Sequence, residues 1–299
     1  MRTGVMILPE SRWSESVKRW SRADELGFDS GWTYDHLWWR SLRDLPWFSA
    51  FPFLTAAACA TQRIRLGTLV TSPNFRHPVV TAKDAITLDD VSGGRFTLGI
   101  GAGAADAGDG AVIGQKTLSA RDRAARFAEF TELTDKLLRQ PVTDFRGRFF
   151  TVNEARNTPG CVQRPRLPLA IAAAGPKTLD LAARYGDAWV TIGPTEWTKT
   201  LSMEDGLAVV ARQFDELRRA CDRAGRDVDE IDRIFVPTPL SGCDPLESVG
   251  SYLRIAEAFA AIGMTHVVIH WPRPEGIYAG SMDTLHRIAA EGLPQVAGL

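Results

Sequence analysis

Short apolar runs alternate with longer stretches of helical spacing from one end of the chain to the other. Thr3 to Leu8 is an apolar run closed by Pro9. Ser14 to Leu26 puts Val17, Trp20 and Ala23 on one helical face and stops at Gly27. Asp29 to Tyr34 reads as a second strand, and an aromatic, irregular segment follows it. Pro52 opens a helix from Phe53 to Thr61, since proline is favoured in a first turn. Ile64 to Thr71 is a third strand, Val79 to Val91 a helix, and Phe96 to Ile100 a fourth strand ending in Gly101-Ala102-Gly103. Strand, helix and strand between Arg63 and Gly103 make a βαβ unit, which forces a parallel pair with a right-handed crossover. Residues 102 to 120 interrupt the rhythm with glycines. A long helix then runs from Ala120 to Arg139, and Val142 to Glu154 alternates as a hairpin does.

Four more strands follow, at Leu169 to Ala173, Ala188 to Ile192, Ile231 to Val236 and Thr265 to Trp271. Helices ending at Tyr185, spanning Glu204 to Arg223 and Ser248 to Ile262, and closing the chain from Met282 to Glu291 separate and follow them. The joint from helix to glycine to strand recurs at Gly27, Gly186 and Gly263. Eight strands alternating with helices predict an α/β fold, a (β/α)8 TIM barrel over residues 1–299 as a single domain, with insertion loops at its C-terminal face. The alternative is an open doubly wound sheet. Eight periods without a topological switch point favour closure.

Composition narrows the function rather than the fold. With 44% hydrophobic residues, 24% charged residues and a net charge of -1, the chain carries no electrostatic footprint for nucleic acid or an anionic membrane surface. No stretch approaches the ~20 apolar residues of a membrane span. The four cysteines lack CxxC spacing and read as reduced thiols of a cytoplasmic protein.

Candidate chemistry gathers at the strand tips, because ligands bind at the C-terminal edge of parallel α/β sheets. Gly175-Pro176-Lys177 follows a small-residue strand and starts a helix, so free N–H groups, the helix dipole and Lys177 make an anion site. Gly99 to Ala104 spells GxGxxA, but a glycine-rich loop follows it where a dinucleotide fingerprint wants a helix. His36, after Asp35 at a strand tip, reads either as a satisfied buried histidine or as a group facing substrate. Trp38, Trp39, Trp47 and Phe48 read as packing aromatics or as an apolar substrate wall, and Trp271 ends strand eight as a further wall candidate. His266 and His270 share a strand face without an obvious third ligand, so no metal site is expected. Asp106 and Asp109 read as residues that solvate a loop.

Several blocks in order give the chain a resemblance to the luciferase-like monooxygenase superfamily, TIM barrels that bind FMN or the deazaflavin F420. They are Gly27-Phe28-Asp29-Ser30 into Asp35-His36, Arg63 to Thr71 with Arg76-His77-Pro78, and Ser92-Gly93-Gly94-Arg95 into Gly101-Ala102-Gly103. Ala173-Ala174-Gly175-Pro176-Lys177-Thr178 and Tyr185-Gly186-Asp187-Ala188-Trp189 complete the set. The resemblance implies an F420-dependent oxidoreductase that moves a hydride between reduced F420 and a small, fairly apolar imine, enone or carbonyl/alcohol substrate. An FMNH2-dependent two-component monooxygenase and a non-catalytic flavin-binding protein are the alternatives.

It also implies roles. Leu69, Val70 and Thr71 back the ring, with Leu69–Val70 a non-prolyl cis peptide, and Asp35 touches the ring's polar edge. Gly101, Ala102 and Gly103 line the groove, and Ala174, Gly175, Pro176, Lys177 and Thr178 take the phosphate. His36 and Trp39 face the substrate, with Trp38 and Trp271 in its pocket. A homodimer and a separate F420 or flavin reductase are the expected partners. The chain departs from the family's sugar-phosphate dehydrogenases, which the resemblance credits with a glutamate where Ala104 stands and a lysine near Gly193-Pro194-Thr195. Both absences argue against glucose 6-phosphate.

Overall fold

In the computed structural model of the chain, residues 1–104, 108–194, 200–238 and 241–299 are described. Eight strands close into a parallel barrel in the order β1 (Arg2–Met6), β2 (Ser30–Thr33), β3 (Arg65–Thr68), β4 (Phe96–Ile100), β7 (Leu169–Ala172), β8 (Ala188–Thr191), β9 (Asp232–Phe235) and β10 (His266–His270), which returns to β1. The (β/α)8 reading is therefore correct and the open sheet is excluded. The remaining two strands, β5 (Val142–Arg146) and β6 (Thr151–Arg156), form the antiparallel hairpin expected from their alternation.

The helices are α1 (Trp13–Glu25), α2 (Ala50–Ala60), α3 (Pro78–Val91), the short α4 (Asp109–Val112), α5 (Ala120–Arg139), α6 (Pro176–Tyr185), α7 (Met203–Ala224), α8 (Val249–Ala261), α9 (Met282–Arg287) and α10 (Leu293–Val296). Serine hydroxyls hold several N-termini: Ser119, Ser202 and Ser248 accept the N–H of the residue three positions on. α2 begins at Ala50, so Pro52 lies inside its first turn rather than opening it. No helix among the described residues is long and apolar enough to cross a membrane.

Period-two alternation divides each strand between two cores. Val5, Leu98, Ile171, Trp189, Phe235 and Ile269 point outward and pack with helix residues such as Trp20, Leu54, Phe127 and Leu217. Met6, Trp32, Ala170, Val190, Ile234 and Val268 point into the barrel. Trp32 fills the lower interior because Gly67 lacks a side chain: a Cβ there would stand 2.3 Å from the indole. The glycine joints work in two ways. Gly27 and Gly263 turn the chain at φ +83° and +95°. Gly186 has an ordinary φ of -79°, and its value is space, since a Cβ would meet the Ala182 carbonyl oxygen at 2.7 Å.

The connections after β2 and β4 lengthen the C-terminal face, as expected. The hairpin belongs instead to the connection from α5 to β7. Its turn is tied back to α5 by Glu129, which accepts from the N–H groups of Arg148, Phe149 and Phe150 at 2.8, 2.8 and 3.3 Å.

Candidate active site

A cavity of about 390 Å³ opens at the C-terminal edge of the barrel, within the usual range for small-ligand sites. Its position follows from the inward side chains. β4 offers Gly101, and β7 offers Ala172, where other strands carry bulky residues. A Cβ on Gly101 would come within 2.6 Å of Val70 Cγ2 and 3.4 Å of Ala172 Cβ, so the three residues form a tightly spaced wall. The Leu69–Val70 peptide in that wall is cis, as the resemblance implied. Met6, Val190, Ile192 and Val236 complete the apolar lining, while Thr178 and Gly175 border it at the start of α6.

His36 lines the same cavity. Its Nδ1 lies 2.7 Å from Asp109 Oδ2, and Asp109 Oδ1 accepts the Leu37 N–H at 2.8 Å. The Asp109 side chain is fully buried and that of His36 is 11% exposed. Trp39 packs against the imidazole with ring centroids 4.7 Å apart, and Trp47 Nε1–H donates to the His36 carbonyl at 2.9 Å. These contacts hold both edges of the imidazole's setting, leaving its Nε2 without a protein partner among the described residues.

A second polar group sits behind the wall. Tyr34 lines the cavity, and its hydroxyl lies 2.8 Å from His270 Nε2 and 3.0 Å from the Tyr278 hydroxyl. His270 stacks on Tyr278 with centroids 3.5 Å apart. Burial pushes the His270 imidazole down to about 3, so it is neutral, with one ring nitrogen protonated and the other an acceptor. Burial also raises both phenols, Tyr34 well above the ordinary tyrosine value. The Tyr34 hydroxyl links His270 and Tyr278, donating to one and accepting from the other in the order that the His270 tautomer sets.

Ten of the residues singled out in the sequence meet at this cavity: His36, Trp39, Leu69, Val70, Gly101, Ala102, Gly103, Ala174, Gly175 and Thr178. The others do not line it. Asp35 is 1% exposed, and its carboxylate is taken by Arg76 at 2.6 and 3.0 Å and by the Thr71 hydroxyl at 2.8 Å. The expected contact of Asp35 with a ring edge is thus replaced by a clamp between strand tips, and Thr71 belongs to the clamp.

Trp38 lies against Gly108 and under the Arg43 guanidinium. Trp271 belongs to the outer core, because His270 beside it points inward and neighbours on a strand alternate. Pro176 and Lys177 are exposed outside the cavity. Asp109, read as a loop-solvating residue, is instead buried against His36. Asp106 and Thr195 lie outside the described residues.

Tyr34, Arg40, Ser72 and Thr191 line the cavity without having been singled out. Tyr34 was findable: it shares strand parity with Trp32, two residues before it.

The luciferase-like monooxygenase family model matches residues 1–292. The chain is 29% identical over 317 aligned positions to the F420-dependent glucose-6-phosphate dehydrogenase of Beutenbergia cavernae, covering 92% of this chain and 90% of that protein. It is 33% identical over 218 positions to the 4-hydroxyprotoasukamycin monooxygenase of Streptomyces nodosus subsp. asukaensis, covering 70% of this chain and 54% of that protein. Among solved structures, an F420-dependent secondary alcohol dehydrogenase in complex with an F420–acetone adduct superposes with a TM-score of 0.75 at 19% identity, over 90% of this chain and 92% of the other.

Proposed function

We propose, for a chain that belongs to the luciferase-like monooxygenase family and is therefore an enzyme of that family, F420-dependent hydride transfer to or from a small, fairly apolar substrate. The observation that carries this reading is the cavity itself: an apolar slot lined by the tightly spaced Val70, Gly101 and Ala172 and by a positioned imidazole, His36. The residues present fit a planar tricyclic cofactor. The wall is closely spaced. Beside it, Gly175 leaves open space where a Cβ would stand, at the N-terminus of α6, where unpaired N–H groups favour an anionic tail.

F420, when bound, supplies a hydride donor or acceptor at its central ring carbon. The chain's own residues do the rest. Val70, Gly101 and Ala172 set the plane of approach, and the apolar lining excludes water. His36 takes or returns the proton of the substrate heteroatom. Proximity and orientation supply much of the rate. Candidate substrates remain an imine, an enone or a carbonyl/alcohol pair.

Titration of the purified protein with F420 and with FMN, followed by tryptophan quenching, tests the cofactor. Micromolar F420 binding is expected; FMN binding without F420 binding would overturn the reading. The second reading, a monooxygenase using FMNH2 from a separate reductase, draws on the similarity to the 4-hydroxyprotoasukamycin monooxygenase. Oxygen uptake with reduced FMN would favour it. In the first reading, a separate F420 reductase supplies the reduced cofactor.

A further inference from the structure

We infer that Asp109 is a positioning residue that fixes His36 in the tautomer protonated at Nδ1, so that Nε2 turns a lone pair, not a proton, towards the cavity. The inference rests on the proposed function only for the reaction it serves; the tautomer stands on geometry alone. Asp109 reaches the tip of β2 from 73 positions further along the chain. It is the first residue of the short α4, and both its oxygens are engaged. Oδ1 is occupied by the Leu37 N–H, which can only donate, at 2.8 Å. Oδ2 then faces His36 Nδ1 at 2.7 Å with the carboxylate fully buried. An ionised carboxylate only accepts, and leaving it unpaired in the interior costs several kcal/mol. A neutral imidazole in that place must therefore carry its hydrogen on Nδ1.

The consequence is a division of labour. No carboxylate lines the cavity among the described residues, and Ala104 stands at the tip of β4. His36 is thus the group there with a ring nitrogen open to a proton, and Asp109 makes Nε2 the accepting atom. Were a substrate alcohol oxidised, its C–H bond would break with both electrons leaving as hydride to the acceptor that F420 would supply. Its O–H bond would break with the proton passing to His36 Nε2, and the carbon–oxygen double bond would form between them. The Asp109 carboxylate then faces an imidazolium, which it stabilises through the same Nδ1–H contact. In the reverse direction the proton returns from Nε2 to the carbonyl oxygen as hydride arrives at carbon.

Long-range 1H–15N correlation of protein labelled at its five histidines reads the tautomer directly, with His36→Gln assigning the His36 signals by their loss. Asp109→Asn is the decisive variant. Its carboxamide oxygen still accepts the Leu37 N–H, while its NH2 faces Nδ1 and forces the proton to Nε2. We expect Nδ1–H in the native protein and Nε2–H in Asp109→Asn. F420 reduction by a panel of simple secondary alcohols should fall in kcat by on the order of 10²-fold or more, with KM and F420 affinity changed only a few-fold. An Nε2–H signal in the native protein, or full kcat in a variant with the flipped tautomer, would overturn the inference. If Asp109→Asn does not fold, the native spectrum alone decides. If the native protein turns over no alcohol but shows Nδ1–H, the substrate reading fails and the role of Asp109 as positioner stands.

Discussion

Lowering the pH should destabilise this barrel through His270, and the size of the effect can be worked out from its surroundings. The side chain is sealed behind the cavity wall, 3% exposed, and stacked on Tyr278. Burial takes it from an ordinary 6.5 down to about 3. Because the folded value is depressed, the unfolded chain binds a proton at this residue between those limits and the folded chain does not. Stability is therefore fully present above about 6.5 and is lost as the pH falls towards 3. At ~1.4 kcal/mol per pH unit, lowering the pH from 7.5 to 5 should remove about 2 kcal/mol through this one residue. That is a large share of the 5–15 kcal/mol typical of a domain.

The assay is urea unfolding, followed by tryptophan fluorescence at both pH values, on the native protein and on His270→Gln. Glutamine has no titration in this range and offers Tyr34 an acceptor. The native protein should lose about 2 kcal/mol more than the variant between the two conditions. Groups common to both proteins cancel in the difference. Equal losses would show that His270 titrates alike in the folded and unfolded chain, and would refute its depressed folded value. His266 should behave alike: its Nε2 lies 4.0 Å from Asp29 and Asp232, but burial, Arg2, the terminal ammonium and Arg233 outweigh them and hold it at about 3.

Other perturbations separate binding from chemistry and from stability. His36→Ala should cut turnover while leaving F420 affinity within a few-fold; unchanged turnover would remove it from the mechanism. Gly101→Val should abolish cofactor binding in the quenching titration without unfolding the barrel, since its side chain would collide with Val70 Cγ2. Arg166 is 5% exposed and bridges Asp135, Asp187 and the carbonyls of Leu167 and Tyr185, so Arg166→Ala should cost about 3 kcal/mol in urea unfolding. A loss under 1 kcal/mol would show that those carboxylates are hydrated without it. Light scattering on the native protein should return the mass of a homodimer.

The fold was legible because its signal is repeated. Each strand is a short apolar run and each helix has a stop, so eight weak periods add to one strong one. The place of the candidate site was legible for the same reason, because strand tips can be located once strands are, while the roles of Leu69, Val70, Gly101 and His36 came from the resemblance. What escaped depends on direction and on long-range pairing. Trp271 was placed at the right strand end but on the wrong face, although the inward His270 beside it carries that information in strand parity. Asp35 looked available for a ligand, since nothing in its own segment says that Arg76 and Thr71 close on both carboxylate oxygens. Asp109 sits among glycines and alanines that read as a loop. Its burial is created by His36 and Leu37, which arrive from another strand. Lys177 stands in the first turn of a helix as read, but its side chain is exposed and does not line the cavity.

The hydroxyl that joins Tyr34 to His270 also bears on how this barrel assembles. β1 lies between β2 and β10, so the bond passes over the first strand and ties the second to the last across 236 positions of chain. Contacts so distant in sequence form late, after the costly loop between them has been ordered. While the chain is being made, the tips of β2, β3 and β4 exist long before Tyr34 has an acceptor. The seam, and with it this wall of the cavity, is finished only when the final strand docks. A barrel arrested before β10 docks would leave Tyr34 without its His270 partner.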